Sequence, residues 1–167
     1  MHPSQLPLDQ FEQQCRWVFS RASGPGGQHR NKVETAATIE HLPSGTRASA
    51  SEERSQIRNR QVALHRLRML LALQADESGA GGCVSELWSR YCRSGKIRVA
   101  IENEHFPALL AEVFEVLSAK DFHLAQAADH FGTTATQLVR FLGSYPPALV
   151  KLNEQLVARG LSPRTTK

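Results

Sequence analysis

The stretch ETAATIEHLPSGTRASASEERSQIRNRQVALHRLRMLL, residues 34–71, reads as a β-hairpin running into a helix, and that succession decides the fold. Apolar and polar residues roughly alternate through Ala37, Ile39 and His41, the two-residue period of a half-buried strand. Pro43-Ser44-Gly45 supplies a turn, and Thr46 to Ala50 form the returning strand. A helix is expected next, because Ser51 offers a capping hydroxyl while Glu52 and Glu53 place negative charge at its positive end. Ile57, Leu64, Leu67 and Leu71 share one stripe at helical spacing, and Arg54, Arg58, His65 and Arg68 share an adjoining one. No acidic residue occurs between Arg54 and Ala75. A solvated helix normally mixes both signs, so this face points to an anionic partner. Arg60 falls on the apolar stripe, which calls for a snorkelling stem or a later helix start.

Upstream, CRWVFSRAS (15–23) is aromatic and partly β-branched and reads as a strand. It runs into RASGPGGQHRNK, residues 21–32. This loop is not a Walker loop, which needs Gly-x-x-x-x-Gly-Lys-Ser/Thr. It also fails the dinucleotide fingerprint, since His29 stands where the third glycine belongs. Gly26 and Gly27 can adopt backbone angles closed to other residues, and Pro25 limits the disorder they bring. Gln28 offers an N–H, a carbonyl and an amide, none of which titrates. Such a tip can stabilise developing negative charge or position a water, but it cannot act as a proton-transfer base.

Downstream, ADESGAGG (75–82) is a loop and a domain boundary, and KIRVAIEN (96–103) is a candidate strand. FPALLAEVFEVLSA (106–119) is expected to form an amphipathic helix with Pro107 in its first turn. In LAQAADHFGTTATQLVRFL (124–142), the spacing of Ala128, Gly132 and Leu138 matches a helix-turn-helix, or equally two core-packed helices of a small bundle. Its second helix carries only Arg140 as a cation, which equips it poorly for DNA and better for packing or for a protein or RNA contact.

The chain has 167 residues, 41% apolar and 22% charged, as in a folded globular protein. No run approaches the ~18 apolar residues of a membrane span, the first twenty residues fit no leader, and a cytoplasmic location is the default. Of the net charge of +4, all the excess lies in residues 1–75, with ten Lys/Arg against six Asp/Glu; the remainder holds ten against ten. Cys15, Cys83 and Cys92 form no C-x-x-C pair, and the seven histidines show no ligand spacing, so neither a metal nor another cofactor is expected.

The segment of about residues 16–72 resembles the catalytic domain of class I peptide chain release factors and of stand-alone ribosome-rescue hydrolases. The resemblance rests on Ser23-Gly24-Pro25-Gly26-Gly27-Gln28-His29, Asn31-Lys32, HLPSG, ERSQ at 53–56 and Asn59-Arg60, all in order. It implies that Gly26, Gly27 and Gln28 enter the peptidyl-transferase centre of the large ribosomal subunit and hydrolyse the ester of peptidyl-tRNA. The Gln28 N–H would stabilise developing charge, and its side chain would admit water while excluding larger nucleophiles. A glutamine methyltransferase acting on Gln28 is a candidate partner. Arg21, His29, Arg30, Asn31, Lys32, Arg54, Gln56, Arg58 and Arg60 would contact ribosomal RNA or the tRNA acceptor end. His29 fits RNA contact or loop packing better than the role of a base.

Two features depart from the family. Arg30 stands where a small apolar residue is usual. Only some twenty residues precede Gly24, and the C-terminal end carries only Arg159, Arg164 and Lys167, spread thinly, where rescue hydrolases have a long basic tail. The chain is therefore not expected to read stop codons. The resulting expectation is an α+β monomer: a catalytic domain (1–75) whose small, mostly antiparallel sheet is packed by a long helix, a linker with a possible strand (76–105), and a helical, helix-turn-helix-like domain with a short basic tail (106–167). Its activity would be codon-independent release of peptide from stalled ribosomes. The alternatives are a release-factor-like hydrolase recruited by a partner or an RNA through its C-terminal helices, and a non-catalytic ribosome- or RNA-binding module.

Overall fold

A computed structural model describes residues 2–21, 35–76 and 83–166. The architecture is α+β, with two compact units: Leu6–Leu71, and Ala72–Lys167 together with Met1–Gln5. The first unit holds α1 (Leu8–Gln13), β1 (Cys15–Ser20), β2 (Ala36–His41), β3 (Thr46–Ala50) and nearly all of α2 (Gln56–Ala72). The strands form one antiparallel sheet in the order β1-β2-β3. Trp17 pairs with Ile39, which pairs with Ala48, so these residues share the inner face. Phe11, Ala37, Ile39 and Ala50 form a core with Ala63, Leu67 and Leu71 of α2.

The hairpin turn is built around His41, which is buried and stacks on Phe11 with ring centroids 5.7 Å apart. Its Nδ1 lies 2.8 Å from Ser44 Oγ and its Nε2 lies 3.1 Å from Gln14 Oε1. Gln14 Oε1 can only accept, so Nε2 of the ring carries a proton. Burial holds its pKa below the ordinary histidine value. Gly45 closes the turn at φ +68, a conformation that side-chain-bearing residues rarely adopt.

The helix begins later than Ser51-Glu52-Glu53 suggests. It starts at Gln56, where Ser55 accepts from the Arg58 N–H at 3.4 Å. The three earlier residues serve the turn instead: Glu52 accepts from the Ser51 N–H and pairs with Arg66 at 2.8 Å. Ile57, expected in the core, is 71% exposed, and Asn59 is fully buried. Arg60 keeps the phase of buried Leu67 and Leu71, and its stem snorkels so that the guanidinium lies over Trp17 and meets Glu12.

The second unit comprises a 3-10 turn (Pro3–Gln5), α3 (Glu86–Tyr91), the hairpin β4 (Cys92–Arg93) and β5 (Lys96–Ile97), α4 (Phe106–Ala119), α5 (Leu124–His130), α6 (Ala135–Gly143) and α7 (Pro146–Ala158). The candidate strand at 96–103 is thus limited to Lys96–Ile97. Rather than amphipathic, α4 is buried along most of its surface, from Phe106 to Leu117. It is the central helix of the unit, packed by α5 and by the 3-10 turn, whose Gln5 donates to the buried Glu115 at 2.9 Å. From α7, Lys151 donates to the Leu73 carbonyl and lies 4.4 Å from the Phe114 ring centroid. Helices α5 and α6 pack through buried Ala128 and Leu138, with Gly132 at φ +61 in the turn between them.

Candidate functional site

The loop joining β1 to β2 leaves and re-enters the sheet at Ser20 and Ala36, which are cross-strand partners. Gly26, Gly27, Gln28, His29, Arg30, Asn31 and Lys32 lie within it and outside the described residues. What the structure provides is the frame from which the loop is hung.

At the return end, Asn59 of α2 organises that frame. Its Nδ2 donates to the Thr35 carbonyl at 2.7 Å and to the Glu53 carbonyl at 2.8 Å, and its Oδ1 accepts from the Glu53 N–H at 3.0 Å. One buried amide thus joins the loop end, the turn before α2 and the helix itself. All its principal hydrogen-bonding capacity is used, which is how a polar side chain is accommodated in a core.

At the departing end, β1 carries stacked Trp17 and Phe19, with centroids 5.9 Å apart. The Arg60 guanidinium lies 5.0 Å from the Trp17 ring centroid and donates to both oxygens of Glu12, at 3.1 and 2.9 Å. This predicted RNA contact is therefore already engaged within its own unit. Trp17 Nε1 is buried and has no partner among the described residues. Arg21 and Arg54 are exposed and form no ion pair among the described residues. Arg58 is exposed and sits 3.7 Å from Glu53, a loose pairing in water. Gln56 is exposed at the start of α2.

On the outer face of the sheet, Glu40 lies between Arg16 and Arg47, at 2.6 and 2.8 Å. Hydrogen bonds from Arg47 and then Arg16 hold its carboxyl below the ordinary carboxylate value. Burial, aided by Glu12, pushes the Cys15 thiol up to about 11, which favours its protonated form near neutral pH. Among the described residues no group of three or more His, Cys, Asp or Glu is placed to hold a metal, and no helix is long and apolar enough to cross a membrane.

Sequence reasoning found Asn59 only as part of a motif and did not assign it a task. The available signal was a polar residue inside the apolar register of a helix. The Glu12–Arg60–Trp17 cluster spans distant sequence positions and left no such mark.

Residues 8–85 match the RF-1 domain, covering the β1–β2 loop, Asn59 and Arg60. That match is consistent with the class I release factor catalytic-domain family. Among curated proteins, the RF-1 region is similar to the chloroplastic peptide chain release factor PrfB1 of Arabidopsis thaliana, 42% identical over 83 residues, covering 46% of this chain and 18% of the relative. Peptide chain release factor 1 of Desulfitobacterium hafniense is 38% identical over 86 residues, covering 52% of this chain and 22% of the relative. The mitochondrial peptide chain release factor 1-like protein of Rattus norvegicus is 38% identical over 79 residues, covering 47% and 21%. The similarity thus spans about a fifth of each relative's length.

Proposed function

We propose that the chain hydrolyses the ester linking a nascent peptide to tRNA in the ribosomal peptidyl-transferase centre, without reading a stop codon. The observation that carries this reading is the RF-1 match across residues 8–85, which includes Gly26-Gly27-Gln28. By resemblance to the family, the Gln28 backbone N–H stabilises the charge that develops on the ester oxygen, and its side chain selects water as nucleophile. Gly26 and Gly27 permit the backbone conformation this requires. Neither Cys15 nor His41, whose two ring nitrogens are engaged within the hairpin, is placed as a nucleophile or base, so attack by a positioned water suits the chain's own residues.

Phosphate contacts to ribosomal RNA or the tRNA end fall to Arg21, Arg54 and Arg58, together with His29, Arg30, Asn31 and Lys32 of the loop. Gln56 adds a polar contact, while Arg60 ties Trp17 of β1 to Glu12 of α1. Gln28 is the site at which a glutamine methyltransferase would act, and the working form is a cytoplasmic monomer. A second reading, recruitment by a partner or a special RNA, is favoured by one observation: the helical residues form a compact unit of their own.

The test is peptide release from ribosome complexes stalled on truncated mRNA, compared with intact mRNA lacking a stop codon. Gly27→Ala, which displaces the Gln28 N–H, should lower the rate by about 10²–10³, as the loss of a transition-state donor does. If release is equal for the parent and Gly27→Ala, the catalytic reading fails. Dependence on a stop codon would overturn the codon-independent part alone.

A further inference from the structure

Between Glu86 and Glu102 the sequence carries four cations, Arg90, Arg93, Lys96 and Arg98, and no acid. All four are exposed, and none forms an ion pair among the described residues. They surround the β4–β5 hairpin, beyond the RF-1 match. Arg93 is paired with Lys96 and Cys92 with Ile97, and the Arg98 N–H extends the ladder to the Tyr91 carbonyl at 2.9 Å. Strand alternation puts Arg93, Lys96 and Arg98 on one face with Tyr91, and Cys92 and Ile97 on the other. The second face is partly buried, and β5 packs on α6.

Like charges directly opposite each other destabilise a strand pair, and two-residue strands offer little ladder to offset them. The hairpin nevertheless presents these charges on a stiff platform. Ser94 and Gly95, at φ +49 and +72, form a tight turn of the kind that matches hairpin twist. Thr133 Oγ1 donates to the Gly95 carbonyl at 2.6 Å, and Trp88 Nε1, from the preceding helix, donates to the Phe131 carbonyl at 3.1 Å. Little ordering is left to be done on binding a polyanion, and a bound polyanion removes the Arg93–Lys96 repulsion.

We propose that this face of the hairpin binds the phosphate backbone of RNA. Two of the three cations on this face are arginines, whose forked guanidinium fits phosphate oxygens. The apolar residues of the hairpin lie on its opposite face, whereas a membrane surface or a protein partner would ask for apolar groups among the charges. The choice of RNA over DNA rests on the peptide-release reading; the phosphate binding does not.

The test measures binding of the full chain to a labelled RNA stem-loop across a salt series. Against the parent, the Arg93→Gln/Lys96→Gln/Arg98→Gln variant should bind about tenfold more weakly, with its log–log salt slope reduced by about two. Arg93→Glu places a carboxylate opposite Lys96, so it should melt no lower than the parent while still losing RNA affinity. Unchanged affinity and slope in both variants overturns the proposal, as does stronger binding to a DNA duplex of the same sequence or equal competition by polyglutamate. Release by high concentrations of the same variants on preformed stalled complexes reads the catalytic proposal separately: binding can fail while release persists, and the reverse.

Discussion

Asn59 donates its side-chain amide to the Thr35 carbonyl at 2.7 Å, tying the first turns of α2 to the point where the chain returns from the Gly-Gly-Gln loop into β2. The same amide group grips both the backbone N–H and the carbonyl of Glu53. A helix, a turn and a loop end thereby share one buried side chain, and errors there propagate to all three.

Asn59→Ala should lower the stability of this unit by about 2–4 kcal/mol, since it leaves a cavity and strands buried groups at Thr35 and Glu53. Asn59→Asp keeps the acceptor for the Glu53 N–H but aims a carboxylate at two carbonyls, which raises its folded pKa. Its protonated form is then the stable one, so the variant's deficit in denaturant midpoint against the parent should be smaller at pH 4 than at pH 7. Equal midpoints for parent and Asn59→Ala would remove Asn59 from this role.

The Arg60 pair with Glu12 is only partly exposed and is reinforced by Trp17. A double-mutant cycle on Arg60→Gln and Glu12→Gln should give a coupling energy of about 0.5–1 kcal/mol by chemical denaturation. A coupling of zero would mean that the geometry carries no energy and that Arg60 is available to other partners.

His41 gives the first unit a pH dependence of defined sign. Its pKa is depressed in the fold, so on acidification the unfolded chain takes up the proton first. Stability should therefore fall as pH drops below about 6.5, the unfolded histidine value. His41→Gln should flatten this slope between pH 6.5 and 5. Glu40 and Glu52, held low by hydrogen bonds from their arginines, add their loss only below the ordinary carboxylate value of about 4.3.

Glu115 has the opposite sign. Burial raises its pKa despite the Gln5 hydrogen bond, so its charged form weighs against folding as pH rises through the raised value. Glu115→Gln keeps an acceptor for Gln5 and should raise the melting temperature at pH 7, with the gain disappearing in acid. A lower melting temperature at pH 7 would mean that the carboxylate itself is required.

The hairpin was legible in the sequence because its turn residues and its two-residue period agree, and Thr46–Ala50 returns as expected. The phase of α2 was harder to read. Ser51-Glu52-Glu53 has the composition of a cap, yet those residues fold into the preceding turn, and the inner face is led by a polar residue, Asn59, while Ile57 points outward. Pattern alone ranks isoleucine above asparagine for burial; three satisfied hydrogen bonds reverse the order. Helix α4 reads as one-sided because Glu112 and Glu115 interrupt it, but both find partners, in Ser85 and Gln5. The charge count of the C-terminal half sums to zero and hid the cations between Arg90 and Arg98, three of which, Arg93, Lys96 and Arg98, only the hairpin register brings onto a common face. The Gly-Gly-Gln loop was legible through its motif, and it lies outside the described residues.

The most direct test of the central claim is the rate of peptide release from ribosomes stalled on truncated mRNA, measured with the parent chain and with Gly27→Ala. The account predicts release by the parent without a stop codon and a loss of about 10²–10³ in the variant. Equal release by the two proteins, or none by the parent, would contradict it.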